Sequence, residues 1–266
     1  MKQLLRLYSI ESVHPNEQEI SDYIVSQLKE LGADYSVSEY GIIGRSKEYK
    51  QGVPCMDVLL SAHMDQVKTN GAAKHFYMKD DCIRGYLDNN QQTSLGADDK
   101  NGVWLILKAL EDKLPIQFII SRGEETGGVG IKGMEDHIPS ADICLVLDRR
   151  GYHEILKSGG GTNYCSTLAQ CLCNFLGGKW QTGSGAFSDT QTICKRMESV
   201  NISTAYYKPH SAEEYTNWDE LQDLRSVISD VVNNFFHYPT DPSVYNKSIY
   251  GGVYDQGNLF GTRWQV

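Results

Sequence analysis

The sequence lacks the features that would place the protein in a membrane, in a secretory route or on nucleic acid. No apolar run approaches the ~18 consecutive residues that a membrane-spanning helix needs. The N-terminal residues contain no long apolar stretch before the charged residue Glu11, so we expect no signal peptide. Lysine and arginine do not cluster and the formal net charge is −9, which argues against a phosphate-backbone partner. Seven cysteines without regular spacing favour a cytoplasmic protein with free thiols.

The composition is that of a globular protein with a substantial core. Of the 266 residues, 40% are hydrophobic and 22% are charged, which suits one large α/β domain. We expect residues 1–266 to form a single domain. Within it we expect a surface hairpin in 68–92 and an irregular tail at 240–266.

Short apolar runs alternate with helical patterns along the chain. Apolar spacing predicts a first helix over 16–31, capped by Asn16 and ended by Gly32, and a last helix over 218–236 capped by Asn217. Between them we predict helices at 103–110 and 187–197 and strands at 57–62, 116–120, 143–147 and 199–204. This alternation predicts an α/β fold with helices on both faces of a sheet.

Histidine and acidic residues directly follow three of the predicted strands. His63 and Asp65 follow the first, Glu124 and Glu125 the second, and Asp148 the third. The carboxyl edge of an open α/β sheet is where ligand crevices form. We therefore expect these side chains to converge on one small volume.

Two further loops add ligand-type residues. Asp98 lies in the tight loop Leu95–Gly102 before a predicted helix, and His210 lies in a loop after the last predicted strand. Imidazole and carboxylate ligands together suit Zn²⁺, and also Co²⁺ or Mn²⁺. A carboxylate-rich set with only two histidines fits two divalent ions bridged by one aspartate.

The remaining acids suit supporting roles in catalysis. Asp65 is placed to hydrogen-bond the ring nitrogen of His63 that does not face the metal. Glu124 adjoins the candidate ligand Glu125, so a strand-end turn can aim one carboxylate at a metal and the other at a metal-bound water. The sequence therefore predicts Glu124 as general base and Asp65 as its catalytic partner.

Five short motifs carry a family resemblance. HMD at 63–65, LGADDKNG at 95–102, GEETGG at 123–128, LD at 147–148 and PH at 209–210 stand in the order of the metal-site motifs of the co-catalytic zinc exopeptidases. That group includes peptidase T and the zinc aminopeptidases, which the chain resembles from about residue 16 to the last helix. The resemblance implies a three-layer α/β/α sandwich with a mixed, mostly parallel central sheet.

The resemblance also implies a ligand scheme. His63 and Asp148 would hold one metal, Glu125 and His210 the other, and Asp98 would bridge them as the first Asp of its motif. It implies a cis peptide bond between Asp98 and the next residue, Asp99. For Asp99 itself we expect a structural role, in the loop or as a helix cap.

The chain departs from part of this family in the segment before the last ligand. Peptidase T and the related deacylases carry a lid domain inserted after the counterpart of Asp148. Here only 62 residues separate Asp148 from His210. We therefore expect no inserted lid or dimerisation domain, as in the single-domain aminopeptidases, and a more open crevice.

Several other residues have simpler interpretations than a role in the site. Ser188 and Asp189 match an aminopeptidase motif but are interpreted as a helix N-cap, and the Cys171-x-Cys173 pair as core thiols. Arg149, Arg150 and Lys208 could bind a substrate carboxylate, and Glu213 and Glu214 could accept a free amine. For all five residues the simpler interpretation is ordinary surface charge.

These inferences predict a metal-dependent hydrolase that cleaves peptide bonds, most of all an aminopeptidase or small-peptide exopeptidase. A deacylase acting on N-acyl amino acids is the first alternative, because it uses the same metal chemistry. A non-catalytic peptidase-like binding domain is the second. The expected partners are small peptides or N-acyl amino acids, with no nucleic acid and no membrane; the sequence leaves the oligomeric state open.

Overall fold

The computed structural model describes residues 1–50 and 56–235. The predicted tail at 240–266 and the last residue of the predicted helix 218–236 lie outside these residues. The helices within them are α1 Lys2–Tyr8, α2 Gln18–Leu31, α3 Ala97–Glu111, α4 Val129–Gly133, α5 Ser166–Leu176, α6 Thr190–Ile193 and α7 Trp218–Asn234.

The strands fall into two sheets. They are β1 Asp34–Ser38, β2 Gly41–Arg45, β3 Val58–His63, β4 His75–Lys79, β5 Cys82–Tyr86, β6 Gln92–Thr93, β7 Ile116–Ser121, β8 Ile143–Arg149, β9 Glu154–Gly159, β10 Thr162–Asn163, β11 Gln181–Gly185, β12 Glu198–Ser203, β13 Tyr206–Tyr207 and β14 Tyr215–Asn217. The main sheet has the order β1-β2-β7-β3-β8-β12-β9-β10, with β11 beside β9.

The main sheet is mixed, as the resemblance implied. Its centre, β7-β3-β8-β12, is parallel, and β11 also runs parallel to β9. The remaining pairs are antiparallel, so the sheet is mostly parallel only at its centre. The short connections β1–β2 and β9–β10 account for two of these antiparallel pairs, because a tight hairpin can join only antiparallel strands.

Both faces of the central strands are covered, which confirms the three-layer arrangement. Leu60 of β3 packs in a large cluster with residues of α1, α2, α3, α5 and α7, whereas its neighbour Leu59 packs with residues of α4 and α6. All six residues of β3 and all six of β7 are buried. Strands buried on both faces carry continuous apolar runs, which is why the sequence pattern identified them.

Truncation of a central core side chain should destabilise the protein strongly. Phe118 of β7 is fully buried and lies against Gly44 of β2, where an added Cβ would approach its ring to 2.4 Å. We expect Phe118→Ala to lower the free energy of unfolding by about 3–5 kcal/mol, through lost burial and the cavity left behind. Chemical denaturation measures this loss. Tyr77→Ala, at a residue that is 59% exposed, is the control and should change stability little.

Helix boundaries differ from the sequence prediction in two places. α2 begins at Gln18 with Glu17 as its N-cap, and the amide of Asn16 instead donates to the Val13 carbonyl in a preceding turn. The predicted cap at Asn16 is therefore wrong. The helix predicted over 187–197 is also shorter, since only α6 is helical there.

The other predicted helix ends agree with the structure. Gly32 ends α2 in the left-handed region at φ 70°. The side chain of Asn217 accepts a hydrogen bond from the Glu220 amide at 3.1 Å and caps α7. The helix predicted at 103–110 forms the regular part of α3, whose residues Asp98 and Asp99 have non-helical backbone angles.

A small second sheet contains β4, β5, β6, β13 and β14. β4 and β5 pair as an antiparallel hairpin with Asp80 and Asp81 at its turn, within the segment 68–92 predicted to contain one. The sheet continues through β14 to β13, the strand that precedes His210. No disulfide links the six cysteines in the described ranges. None of the helices described combines the length and apolarity needed to cross a bilayer.

Candidate metal centre

The topology brings the ends of three parallel strands to one edge of the main sheet. β3 ends at His63, β7 leads into the turn with Glu124 and Glu125, and β8 contains Asp148 near its end. Asp98 stands at the start of α3, which packs against β3 and β8. These strand-end side chains meet because adjacent parallel strands end at a common edge.

The first candidate ligand group consists of His63, Asp98 and Asp148. One ligand atom from each lies within 4.8 Å of the others. Nε2 of His63 is 3.3 Å from Oδ1 of Asp98 and 3.6 Å from Oδ1 of Asp148. His63 and Asp98 are buried, so the group is largely shielded from solvent.

The second group consists of Asp98, Glu125 and His210, with the same spacing of ligand atoms. Nε2 of His210 is 2.8 Å from Oε1 of Glu125 and 3.2 Å from Oδ2 of Asp98. Asp98 therefore presents one carboxylate oxygen to each group, which is the arrangement that a bridging ligand requires. The His210 side chain is 50% exposed, so this group lies on the open side of the site.

The chemistry of these residues fits a pair of divalent cations. Nε2 of His63 is buried and makes no well-directed hydrogen bond to any described residue, although carboxylates surround it. Burial and the charge of Asp98 raise the pKa of Asp148 to about 7. An unsatisfied ring nitrogen facing crowded buried carboxylates is stabilised by a positive ion. Mixed imidazole and carboxylate ligands match the preference of Zn²⁺.

Asp65 connects the histidine to the turn that carries the two glutamates. Its Oδ1 and Oδ2 accept hydrogen bonds from the amides of Glu124 and Glu125, each at 3.0 Å. Nδ1 of His63 lies 3.1 Å from the Asp65 carbonyl and 3.3 Å from its Oδ1. Asp65 thus holds the His63 ring with Nε2 toward the ligand group, and fixes both glutamates relative to it.

Glu124 lies beside the first ligand group without belonging to it. The residue is buried, and its Oε2 is 4.0 Å from Nε2 of His63. Burial, together with the charges of Asp148, Asp189 and Glu125, raises the pKa of Glu124 to about 10. At that pKa the side chain is protonated at neutral pH, and positive charge bound at the neighbouring ligand groups would lower the pKa and free the carboxylate for proton transfer.

Asp99 has the structural role that the sequence indicated. Its carboxylate accepts hydrogen bonds from the Gly102 amide at 3.0 Å and from the His63 amide at 3.2 Å. The peptide bond between Asp98 and Asp99 is cis, which confirms that prediction. Asp99 therefore ties the start of α3 to the end of β3 and brings Asp98 next to His63.

Asp189 is a buried acid near the site that the sequence interpretation treated as a cap. It occupies the N-cap position of α6, as interpreted, but the Thr190 amide donates its hydrogen bond to the Ser188 hydroxyl, at 3.3 Å, and not to Asp189. Its carboxylate instead accepts a hydrogen bond from the Ser121 hydroxyl at the end of β7. Burial raises the pKa of Asp189 to about 6. The Ser188-Asp189 motif was the available signal, but local sequence does not distinguish a cap from this long-range contact.

Two of the basic residues near the ligands, Arg149 and Lys208, are paired with acids. Arg149 bonds to Glu154 at 2.6 Å, and Lys208 forms an ion pair with the exposed Glu213. Glu214, in contrast, is buried and accepts three hydrogen bonds from the segment that carries Asp98. The sequence suggested surface charge or amine binding for Glu214, and both are wrong because its oxygens are enclosed within the protein.

Metal affinity should fall on acidification. In the absence of a cation, hydrogen bonds to Asp98 and Glu125 raise the pKa of His210 to about 10, so its ring is protonated at neutral pH. A ring must lose this proton before it can bind a metal, so binding releases it. We expect the dissociation constant to rise about tenfold per pH unit lost for each proton released. Competition titrations with a chromophoric chelator between pH 8 and pH 6 measure this, and a pH-independent affinity would exclude His210 as a ligand.

Comparison with solved structures identifies proteins that share this fold. An aminopeptidase PepT of Bacillus cereus superposes with a TM-score of 0.75 and 16% identity, covering 88% of this chain and 97% of that one. A tripeptidase of Staphylococcus aureus gives 0.72 and 18%, covering 89% and 98%. The chain therefore shares the fold of these peptidases, in agreement with the fold that the resemblance implied. At these identities the likeness establishes the fold, and the activity has to be argued from the site.

Sequence comparison gives a more limited result. No family model matches the chain. An uncharacterised Bacillus subtilis protein, YqjE, is 26% identical over 164 residues, which span 57% of this chain and 43% of YqjE. The match thus covers less than half of that relative.

Proposed function

We propose that the protein is a metal-dependent hydrolase that removes residues from small peptides, acting as an aminopeptidase. The observation that carries the proposal is the pair of ligand groups that share Asp98, with the buried carboxylate of Glu124 beside them. The fold shared with an aminopeptidase and a tripeptidase supports it. We further propose that the chain acts as a single catalytic domain without a lid, in the cytoplasm.

The proposed ligands are His63 and Asp148 for one ion and Glu125 and His210 for the other, with Asp98 between the two. The donor set suits two zinc ions, and Co²⁺ or Mn²⁺ would also be accepted. Bound divalent ions polarise a carbonyl oxygen and lower the pKa of water, which is the chemistry that amide hydrolysis needs.

Glu124 is the general base in this proposal. Its carboxylate takes a proton from the attacking water and returns that proton to the departing amine. Asp65 keeps it in place, because its two oxygens hold the Glu124 and Glu125 amides at 3.0 Å. The site also keeps Glu124 buried, which favours proton uptake by its carboxylate.

The open side of the site at His210 is where substrate enters. The His210 side chain is half-exposed, whereas His63 and Asp98 are buried. A short, extended peptide would therefore approach the ligand groups from the His210 side, where the site meets solvent. This accessibility supports small peptides as substrates.

A mixed peptide library analysed by mass spectrometry, with and without a chelator, tests the proposal. We expect stepwise loss of N-terminal residues that stops when the metal is removed and returns when it is added back. Cleavage of N-acylated amino acids but not of free-amine peptides would identify a deacylase instead. Metal binding without cleavage of either panel would favour a non-catalytic binding domain.

A further inference from the structure

Glu214 is buried although it follows the exposed Glu213 and lies only four residues after His210. It is 1% exposed, and it stands at the end of the loop between β13 and β14. His210, in the same loop, is half-exposed. The loop therefore presents His210 to the open site and directs Glu214 into the protein.

The Glu214 carboxylate binds both ends of the segment that carries Asp98. Its Oε2 accepts hydrogen bonds from the Ser94 hydroxyl at 2.6 Å and the Leu95 amide at 2.9 Å. Its Oε1 accepts one from the Asp98 amide at 3.2 Å. A single side chain thus joins the His210 loop to the segment that presents the shared ligand Asp98.

Lys100 holds the same segment from the other side. Its ammonium is fully buried and donates to the Leu95 carbonyl at 3.4 Å, to the Ile10 carbonyl at 2.7 Å and to the Gln66 side chain. The Leu95 residue is therefore held through its amide by Glu214 and through its carbonyl by Lys100. Gly96 follows at φ 61°, where an added Cβ would approach the Lys100 nitrogen to 2.8 Å.

A buried carboxylate is costly unless its oxygens are fully hydrogen-bonded, and Glu214 meets that condition with three donors. Three such donors from one segment also fix its position, because each bond constrains a different atom. Groups that orient metal ligands commonly change metal affinity about 10- to 100-fold when they are removed. The position of Glu214 between two ligand-bearing segments matches that role.

We propose that Glu214 is a positioning residue that holds Asp98 in register with His210, so that the ligand group of Asp98, Glu125 and His210 exists before a cation binds. This inference rests on the proposed metal-dependent function. It predicts that Glu214 affects the affinity for the second ion more than the affinity for the first. In the first group Glu214 positions only Asp98, since His63 and Asp148 lie on β3 and β8.

The test is a titration of Zn²⁺ into metal-free protein for Glu214→Gln. Glutamine keeps the shape but has one acceptor oxygen, so its amide nitrogen faces a backbone donor on one side. We expect the second ion to bind about 10- to 100-fold more weakly, the first to be weakened by a smaller factor because it shares Asp98 but keeps His63 and Asp148, and activity to be restored by excess Zn²⁺. Glu30→Gln, an exposed charge change on α2, is the matched control and should bind both ions like the parent.

Each outcome of this experiment decides one question. A purely structural role would lower the unfolding temperature without changing the ratio of the two affinities, and that result would overturn the inference. If Glu214→Gln does not fold, Ser94→Ala removes one of the three donors and should give a smaller loss at the second site; parent-like binding would then reject the role. Failure of the parent protein to bind Zn²⁺ would instead refute the proposed function.

Discussion

Replacing Glu124 by glutamine is expected to leave both metals bound and to reduce turnover by about 10²- to 10⁴-fold, the usual contribution of a general base. The substitution removes the proton acceptor but keeps the side-chain shape. Glu124 is not among the candidate ligands, and its backbone amide, which the substitution keeps, is the group that donates a hydrogen bond to the Asp65 carboxylate. Metal binding and the fold should therefore survive.

Elemental analysis, the unfolding temperature and the catalytic rate must be measured on the same preparation of Glu124→Gln. Unchanged metal content with a collapsed rate is the expected combination. Glu111→Gln, on the exposed end of α3, is a control with the same change of charge. A variant at Glu124 that hydrolyses peptides at the parent rate would remove this residue from the mechanism.

Substitution of Asp98 by asparagine should have the opposite pattern, in which metal binding itself is lost. Asp98 presents one carboxylate oxygen to the group with His63 and the other to the group with His210. Its replacement therefore removes a negatively charged ligand from both groups at once. Loss of a supporting residue typically costs about 10- to 100-fold in metal affinity, and we expect the loss for Asp98 to exceed this at both positions.

Two further variants define the role of Asp98. Asp148→Asn should weaken only the ion beside His63, since Asp148 belongs to the first group alone. Asp22→Asn, on the exposed surface of α2, should leave the metal content unchanged. If Asp98→Asn retained one tightly bound ion, Asp98 would be a ligand of a single metal rather than a bridge.

The sequence was informative where local pattern and burial coincide. β3 and β7 are continuous apolar runs because both of their faces are covered, and such runs are recognisable without a structure. The acids and histidines that follow them were recognisable for the same reason, since each comes directly after a strand. Each of the five motifs is too short to be informative alone, and the resemblance depends on their occurring in the order found in the family.

The residues that the sequence did not reveal are those whose partners lie far along the chain. Glu214 binds Ser94 and Leu95 across about 120 residues, and Asp189 binds Ser121 across 68. Neither contact leaves a periodic or local signature, so each acid resembled an ordinary surface or cap residue. Buried Lys100 was missed for the same reason, because lysine beside two aspartates suggests an exposed turn.

The five candidate ligands extend from position 63 to position 210, and they are contributed by three central strands of the main sheet, the start of α3 and the loop after β13 rather than by one compact stretch of chain. A growing polypeptide on the ribosome therefore cannot assemble the centre until nearly all of the described fold has been synthesised. Under the proposed function, hydrolytic competence would arise only once the loop that carries His210 has been made. Such a delay is inherent in the topology.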